Sequence, residues 1–565
     1  MPDRIKVFAL GGLDESGRDC YIVEINEDIF VLDAGISLPD KTFLGVDCLL
    51  PNFDYLIKNK DRIRAYIMTH GHDESCGALK FIYKKAPAKI YCTHSTRTVM
   101  MGQLFIHHYD NVQFDFEIVK PSDKRIIAGR KVTFFQTCHN AANSFGVAIA
   151  TDKGNIVFTS DYIINFATDE PNYRFDLAAA SELAKEETLL LMAESKSAGK
   201  NGYCSPRHRI SDKVEKYFKT ERRLFFVCYW QNMYRIREIA RLIRKYNKKL
   251  FCYDNYTEQV IKTIAIEGSG VQLSNEDFIK REDLLRVRKS DTVILIVGHS
   301  DDIFDEISSL SMGRNADSRI VVEPSDIFIN VAVPRPSYET IATRSMDNIF
   351  RTGCDVVWLK EKDVSSMHAF EDDLRFMLNM FKPKYYFPVR GNYTNIMENA
   401  KLALQLGIGL NHMNVFVLDN GMELIFEGDK RPIILPNEVT GVDVTPMLVD
   451  GKGVAKRSDD VIEIRKKLSV DGAVVIASIV SLTEKRIIAG PDCQMRGFVF
   501  SREAEPLLKS ISQIYVEEVS GALLKGKTNF EETKNTICER VKRFIKRENG
   551  REPLIDPIIL VENQE

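Results

Sequence analysis

The most informative segment of this chain reads Thr69-His70-Gly71-His72-Asp73-Glu74-Ser75-Cys76-Gly77, and it directly follows the apolar run from Ile63 to Met68. The two histidines are one residue apart and lie just past a predicted strand. They can therefore turn toward a common point, so that a metal ion gains two ligands at little cost in entropy. Taken alone, the pair has an ordinary alternative, because histidines beside a glycine also occur in polar turns.

Two later positions favour the metal interpretation. His139 follows the apolar strand 132–135, and Asp161 follows the apolar strand 156–159. Three separate strands thus end in a residue type that binds metal. Ligands gathered at strand ends are typical of an α/β sandwich with a metal site at one edge.

At this point the sequence resembles the metallo-β-lactamase fold and, more widely, the RNase J ribonucleases of its β-CASP branch. The resemblance runs nearly from end to end. Its supporting phrases are Phe8-Ala9-Leu10-Gly11-Gly12, Val31-Leu32-Asp33-Ala34-Gly35, Leu44-Gly45-Val46-Asp47, His368-Ala369, Lys382-Pro383-Lys384-Tyr385-Tyr386-Phe387-Pro388-Val389 and Gly490-Pro491-Asp492.

The predicted fold class is α/β, with an αββα metallo-β-lactamase sandwich, an inserted β-CASP domain of βαβ type and a small C-terminal α/β domain. Short apolar runs up to Asp161 indicate the sandwich, and strands alternating with helices between about Lys200 and Gly353 indicate the insertion. We expect the sandwich in residues 1–205 and 354–436, the β-CASP domain in 206–353, a linker in 437–453 and the C-terminal domain in 454–565.

Composition sets further bounds. A chain of 565 residues is expected to form two to four domains, and 44% hydrophobic with 28% charged residues describes an ordinary globular protein. The formal charge of -3 means that any RNA contact depends on local basic patches. Eleven scattered cysteines, a first strand that begins at once and no apolar run of membrane-spanning length lead us to expect a cytoplasmic protein.

The departures from the family pattern are as informative as the match. Active members of the family carry His-x-His-x-Asp-His, whereas this chain has Glu74 and Ser75 at the last two positions. A further family histidine is replaced by Arg390, and the acidic residue near it is replaced by Asn392. Tyr234 stands where a hinge-helix histidine is expected. The chain therefore resembles the diverged second paralogue of an RNase J pair.

The resemblance implies that His70, His72 and His139 hold a first metal ion, with Asp161 as the carboxylate that bridges to a second. Of the residues left for the second ion, only Glu74 offers a strong ligand, because Ser75 is a neutral hydroxyl and the residue at 390 is a permanent cation. We therefore expect at most one divalent transition ion, zinc or manganese, and no second ion. Glu74 could still act as a base at a single metal.

Further site residues follow from the resemblance. Glu194 matches an acidic family motif and His368 a channel histidine, so both belong with Glu74 and Asp161 among the candidate catalytic residues. Phe370 and Met367 replace small residues of the RNA 5′-phosphate pocket, and their bulk is expected to weaken 5′-end recognition.

The candidate RNA contacts are His368, Phe370 and several basic residues. Arg390 could grip a phosphate through two hydrogen bonds, and Arg235, Arg241 and Arg244 lie on a predicted helix that could face an RNA channel or only solvent. Residues 540–547 interleave bases with Phe544 and Ile545, for which an ordinary amphipathic helix is the better interpretation.

Two functions follow. The first is an accessory RNA-binding subunit that works in RNA decay and ribosomal RNA maturation beside a catalytic RNase J paralogue. The second is an active, metal-dependent 5′-to-3′ exonuclease and endonuclease. The family's C-terminal domain serves assembly, so we expect a dimer or tetramer with itself or with the paralogue, and no membrane partner.

Overall fold

The computed structural model describes residues 2–40, 43–102, 112–166, 168, 170–266, 273–428, 430–451, 453–456, 459–497 and 504–562. The chain divides into two compact units. The first unit consists of Met1–Leu38 and Asp47–Val454, and the second unit consists of Pro39–Val46 and Ala455–Glu565.

The described residues form strands and helices in mixed order, numbered here along the chain. The strands are β1 Arg4–Gly11, β2 Cys20–Ile25, β3 Asp28–Leu32, β4 Cys48–Leu50, β5 Ile63–Ile67, β6 Ile90–Cys92, β7 Phe116–Ile118, β8 Lys124–Ile127, β9 Arg130–Gln136, β10 Phe145–Thr151, β11 Gly154–Phe158, β12 Thr188–Glu194, β13 Leu224–Tyr229, β14 Lys249–Cys252, β15 Thr292–Gly298, β16 Ile327–Asn330, β17 Asp355–Trp358, β18 Tyr385–Val389, β19 Glu423–Glu427, β20 Ile433–Leu435, β21 Met447–Asp450, β22 Gly453–Lys456, β23 Ala473–Ser481, β24 Arg486–Arg496 and β25 Leu554–Val561. The α-helices are α1 Asp54–Lys58, α2 Asp73–Cys76, α3 Leu79–Ile82, α4 His94–Met101, α5 Leu177–Leu183, α6 Ser211–Phe218, α7 Met233–Lys245, α8 Asn255–Ile266, α9 Ile303–Ser311, α10 Glu339–Phe350, α11 Glu371–Phe381, α12 Tyr393–Gln405, α13 Asn437–Thr440, α14 Asp459–Asp471, α15 Ala504–Leu524 and α16 Glu531–Asn549.

The first unit is built on two sheets packed face to face. One has the order β20-β19-β1-β2-β3-β5-β6-β7 and the other the order β18-β12-β11-β10-β9-β8. Strand β12 is buried on both faces, and its sequence is therefore an almost continuous apolar run. Its Leu190 and Met192 face the core between the sheets, whereas Leu191 and Ala193 pack into the core that contains residues of α11 and α12.

The β-CASP part is a parallel sheet of order β14-β15-β13-β16-β17, flanked by helices. Strand β17 pairs with β16, from Ile327 with Asp355 to Asn330 with Trp358. Residues 355–358 thus extend the inserted sheet, although the sequence had placed the return to the sandwich at residue 354. The apolar run 356–358 is compatible with either sheet, and only the pairing distinguishes them.

Backbone hydrogen bonds join the loop that carries the histidine pair to the residues after β3. Ala34 and Ile36 donate their amide N–H groups to the carbonyl oxygens of Ser75 and Asp73, at 2.7 and 2.9 Å. Gly35 lies between them, and a Cβ there would come within 1.5 Å of the Glu74 carbonyl oxygen. A glycine is needed for this close approach, which holds the backbone of residues 73–75 in place.

The second unit contains a three-stranded sheet, β24-β23-β25, with β25 parallel and β24 antiparallel to β23. Helices α15 and α16 share a core with one face of β23, through Val474 and Ile476. In α16, Ile537, Val541 and Ile545 are buried and Arg540 pairs with Glu517 and Glu518. The interpretation of residues 540–547 as part of an amphipathic helix is therefore confirmed.

The predicted fold class is confirmed in these elements. The segment predicted as a linker, 437–453, contains helix α13 and strand β21, which pairs antiparallel with β4. Among the described residues, no helix combines the length and apolar composition that crossing a lipid bilayer requires.

Candidate metal centre

The candidate site lies where strands of both sandwich sheets end. Strands β9, β11, β12 and β18 run in the same direction in one sheet, and β5 belongs to the other. Residues that follow the carboxyl ends of these strands therefore meet at one edge. They are His70, His72 and Glu74 after β5, His139 after β9, Asp161 after β11, Lys196 after β12 and Arg390 after β18.

Three buried imidazoles form the first half of the centre. The ring centroids of His70, His72 and His139 lie 4.7 to 5.0 Å apart, and each offers a nitrogen within 4.8 Å of the others. Burial lowers the pKa of all three histidines, so that the neutral form, which binds metal, predominates. The sequence prediction that these residues come together agrees with the geometry.

Carbonyl oxygens outside the centre orient two of the rings. His72 Nε2 lies 2.9 Å from the Gln231 carbonyl oxygen, and His139 Nδ1 lies 2.8 Å from the Met367 carbonyl oxygen. A carbonyl only accepts, so those nitrogens carry the protons and donate. The remaining nitrogens, His72 Nδ1 and His139 Nε2, then face each other with lone pairs at 3.3 Å. Two lone pairs repel at that distance, and a cation between them would remove the repulsion.

His70 is oriented from the other side. Its Nδ1 lies 3.1 Å from the Thr69 hydroxyl, which donates to Asp33 Oδ2 at 2.9 Å and is therefore free to accept from His70. His70 Nε2 is left to face Asp161 Oδ2 at 3.6 Å. The three imidazoles and Asp161 are thus a suitable donor set for one divalent transition ion.

Asp161 is the most heavily contacted carboxylate of the centre. Its Oδ2 lies 2.7 Å from Arg390 Nη1, 3.3 Å from Lys196 Nζ and 3.8 Å from His139 Nε2. Burial alone would raise its pKa, but Arg390 and Lys196 hold the pKa of Asp161 well below its ordinary value. Asp161 is therefore charged, and two organic cations already compensate it.

Arg390 directly contacts Asp161, the carboxylate of the candidate donor set. Its guanidinium is completely buried, pairs with Asp33 and Asp161, and approaches Asp19 Oδ2 to 3.6 Å. It also stacks over the ring of Phe158, 5.3 Å from its centroid. Position 390 has φ +59°, a left-handed backbone conformation that turns the chain directly after β18. The position of Arg390 at the centre was predicted from the sequence, but its contacts with Asp19 and Asp33 were not.

Lys196 is a charged residue of the centre that was not predicted from the sequence. Its ammonium lies 3.3 Å from Asp161 Oδ2 and 3.5 Å from Glu74 Oε1. The signal was available, because Lys196 closely follows a buried strand, as His139 and Asp161 do. The sequence does not show the strand register, in which Glu194 pairs with Val389. This register brings the residues after β12 and β18 together.

Glu74 and Ser75 are the remaining ligand-site substitutions. Glu74 Oε1 lies 3.8 Å from His72 Nδ1, and its side chain is one-quarter exposed, at 26%. The Ser75 hydroxyl lies 3.3 Å from His70 Nε2 and 3.5 Å from Arg390 Nη2. Only Glu74 of these two residues brings a charged oxygen to the centre.

Glu194 and His368 form a pair next to the centre. Glu194 is buried, and its carboxylate accepts hydrogen bonds from the Tyr162 and Ala369 amides at 2.8 and 3.0 Å. Its other oxygen lies 2.9 Å from His368 Nδ1, which in turn is 3.8 Å from Asp161 Oδ1. Glu194 therefore positions His368, and His368 is the member of the pair that reaches Asp161.

The predicted RNA contacts are placed very differently from one another. Arg235 is buried and donates to the carbonyl oxygens of Val331 and Ser365 at 2.9 and 3.0 Å. Arg241 and Arg244 are exposed on α7, and Arg244 lies 4.0 Å from Asp277. Phe370 is buried, with Lys200 and Arg207 over its ring. Arg241 and Arg244 are thus the accessible members of the predicted set.

A cleft of about 460 Å³ opens beside the centre within the first unit. Residues of the sandwich and of the β-CASP part both contribute to its wall. Its polar lining residues include Lys196, Asn232, Arg335, Ser366, His368, Asn392 and Asn395, and Val333, Pro334, Pro336 and Val364 add apolar surface. Lys196 and His368 are thus the residues next to the buried ligands that this cleft reaches.

Comparisons with known proteins agree with this architecture. Residues 13–198 match the metallo-beta-lactamase superfamily, residues 359–417 the Zn-dependent metallo-hydrolase RNA specificity domain, and residues 460–561 the ribonuclease J C-terminal domain. Together the three matches cover most of the sandwich, the segment that carries His368 and Arg390, and the second unit's sheet.

Similar proteins extend over the whole chain. Ribonuclease J 2 of Streptococcus pyogenes serotype M3 is 28% identical over 98% of this chain and 99% of its own length, and Ribonuclease J 1 of the same organism is 27% identical over 99% and 98%. Overall identity therefore does not separate the two paralogue types. A crystal structure of an Enterococcus faecalis protein of unknown function covers 75% of this chain and all of its own, with TM-score 0.50 and 15% identity, and shares the fold.

Replacing Arg390 is expected to destabilise the first unit. Arg390→Met leaves Asp161, Asp33 and Asp19 buried without their guanidinium, which should lower the free energy of unfolding by about 3–5 kcal/mol. Urea unfolding with a chelator present, so that no metal compensates, measures this. Arg344→Met on the exposed face of α10 is the control. Equal midpoints for the two variants would contradict the role assigned to Arg390.

Proposed function

This chain belongs to the ribonuclease J family, and on that premise we propose that it is an RNA-binding subunit in RNA decay and ribosomal RNA maturation with weak or no nuclease activity of its own. The observation that carries the proposal is the buried Arg390 guanidinium, 2.7 Å from the carboxylate expected to bridge two metal ions. A guanidinium neither ligates a metal nor tolerates a divalent ion at contact distance.

The residues suit one metal ion and not two. The first position has three oriented imidazoles and Asp161, and a bound ion there would supply a Lewis acid. The second position would have to use Glu74, a neutral Ser75 hydroxyl and the Arg390 guanidinium, with Lys196 close to both carboxylates. We infer no catalytic step through a second ion.

The balance of charge supports the exclusion of a second ion. Two cations, Lys196 and Arg390, already contact Asp161, and Lys196 also contacts Glu74. Burial raises the pKa of Asp33 to about 7 and that of Asp19 to about 6, so each of these carboxyl groups carries less than a full negative charge near neutral pH. The cluster therefore has little surplus negative charge to attract a second divalent ion.

The alternative is an active, metal-dependent 5′-to-3′ exonuclease and endonuclease. The intact first position favours it, together with Glu74, whose carboxylate is partly exposed 3.8 Å from His72. Phosphodiester hydrolysis requires charge stabilisation at both the attacking and the leaving oxygen, and two metal ions usually supply it. This requirement argues against the alternative.

RNA binding is proposed to use the cleft and the accessible basic residues of α7. The cleft begins at the centre, and Asn232 and Arg235 at the start of α7 line it. Arg241 and Arg244 lie farther along the same helix, on its exposed surface. Arg235 is left out of the proposed contacts because both its terminal nitrogens are used by backbone carbonyls.

Assembly is proposed to involve the second unit. Helix α14 presents an apolar stripe at helical spacing, with Val461, Ile464 and Leu468 exposed at 48, 45 and 40%. Its proposed occupant is a second copy of this chain or a paralogue with the full metal motif. We also propose a cytoplasmic location, because none of the eleven cysteines, all of them in the described part of the chain, forms a disulfide, as expected in a reducing compartment.

Elemental analysis of purified, dialysed protein tests the metal count. We expect no more than one zinc or manganese ion per chain in the unaltered protein, and loss of tight binding in His139→Ala. His412→Ala, an exposed histidine outside the centre, should leave the count unchanged. Two tightly bound ions, or hydrolysis of 5′-monophosphorylated RNA at roughly one per second or faster, would support the active-nuclease alternative.

RNA binding should persist in the presence of a chelator and weaken with added salt. Arg241→Ala with Arg244→Ala should lower the affinity and reduce the slope of log K against log salt by about 1.4, for two lost phosphate contacts. Fluorescence anisotropy with a labelled oligonucleotide measures both. Arg344→Ala with Arg351→Ala changes the charge equally on another part of the domain and is the control. If the two double variants bind alike, the exposed face of α7 is only solvated.

Light scattering tests the assembly surface. The unaltered chain should form a dimer or larger species, alone or with a full-motif paralogue, and Val461→Glu with Ile464→Glu and Leu468→Glu should dissociate it. Leu285→Glu, at a residue 75% exposed in the first unit, is the control. A monomer that also fails to bind the paralogue would exclude the assembly proposal.

A further inference from the structure

Lys196 has an unusual position for a lysine. Its side chain is only 12% exposed, and its ammonium contacts the Asp161 and Glu74 carboxylates at 3.3 and 3.5 Å. These two carboxylates are the ones that a second metal ion would need. The ammonium therefore lies between them, where the family's second cation is expected.

We propose that the Lys196 ammonium takes the place of the second metal ion, excluding a divalent cation from that position and binding a phosphate oxygen of RNA in the cleft. This inference rests on the proposed RNA-binding function. The Lys196 ammonium is the group that would contact phosphate in place of a metal ion. No role was assigned to Lys196 from the sequence.

The ammonium is held in place by the fold. Strands β12 and β18 pair in parallel register, Glu194 with Val389, and the Ser195 amide donates to the Arg390 carbonyl oxygen at 3.1 Å. The Lys196 carbonyl oxygen accepts a hydrogen bond from Asn395 Nδ2 at 2.5 Å. The backbone at Lys196 is thus fixed by β18 and α12, and the side chain starts from a fixed point.

The ammonium also stays charged. Its contacts with the Asp161 and Glu74 carboxylates, at 3.3 and 3.5 Å, favour the charged form of the lysine. A permanent positive charge between two carboxylates removes the attraction that a divalent ion would find there. Lys196 and Arg390 oppose the second ion independently, since they reach Asp161 from different strands.

Lys196 can still contact a ligand. An ammonium has three N–H donors, and two suffice for Asp161 and Glu74. Lys196 lines the cleft of about 460 Å³, together with polar side chains that include Asn232, Ser366, His368 and Asn392. Arg335 in the same wall pairs with Asp301, and Glu361 pairs with Lys200. The third donor of Lys196 therefore offers the cleft a positive charge close to the metal centre, as a phosphate group requires.

The first experiment measures RNA binding with a chelator present. Lys196→Met, which removes the charge, and Lys196→Gln, which keeps a polar side chain of similar length, should each lower the affinity about tenfold or more, as expected for a lost charge-assisted hydrogen bond. Lys131→Met is the matched control. Lys131 pairs with Glu186 and lies at the start of β9. It is therefore at the opposite end of the strand from His139, away from the centre.

The second experiment measures bound metal and does not depend on activity. Glu74→Asp, Ser75→His and Arg390→His together restore the family ligands but keep Lys196, so the count should stay clearly below two ions per chain. Adding Lys196→Met to these three substitutions should raise the count toward two. Two tightly bound ions in the triple variant, with Lys196 in place, would overturn the inference.

The outcomes separate the two proposals. If the unaltered chain fails to bind RNA in chelator, the RNA-binding function itself is wrong. If the unaltered chain binds, and Lys196→Met and Lys196→Gln bind as tightly as Lys131→Met, only the role of Lys196 is wrong. Weakened binding in both Lys196 variants, with Lys131→Met unchanged, supports the inference.

Discussion

The ion cluster around Arg390 is the interaction on which the architecture of the centre depends. A fully buried guanidinium has to be matched by negative charge, and here Asp161, Asp33 and Asp19 provide it from different parts of the sandwich. Arg390 itself follows the last strand of one sheet, and Asp33 follows a strand of the other. The guanidinium therefore joins the two sheets at the edge where the family places metal ions.

An organic cation can preserve the shape of a metal site without its chemistry. Arg390 and Lys196 contact the carboxylates at the strand ends and compensate part of their negative charge. Neither cation accepts an electron pair from a water or a phosphate oxygen, which is what a Lewis acid does. Both can donate hydrogen bonds to phosphate. An organic cation and a metal ion can therefore both contact phosphate, but only the metal ion supplies Lewis-acid chemistry.

The first metal position is supported from outside by the inserted domain. The Gln231 carbonyl, which orients His72, lies between β13 and α7, and the Met367 carbonyl, which orients His139, precedes α11. The imidazoles therefore depend on the β-CASP insertion and on the returning part of the sandwich for their orientation.

The sequence by itself determined the fold class and the family, because short motifs after apolar strands specify both. It also predicted that His70, His72, His139 and Asp161 come together, and that Arg390 opposes a second ion. Only the tertiary structure decided that Arg235 is buried, that Glu194 acts through His368, that residues 355–358 extend the β-CASP sheet and that Lys196 reaches Asp161. The physical reason is that these facts depend on strand register and on contacts between residues far apart in the chain, such as the pairing of Glu194 with Val389, and local sequence patterns carry no information about either.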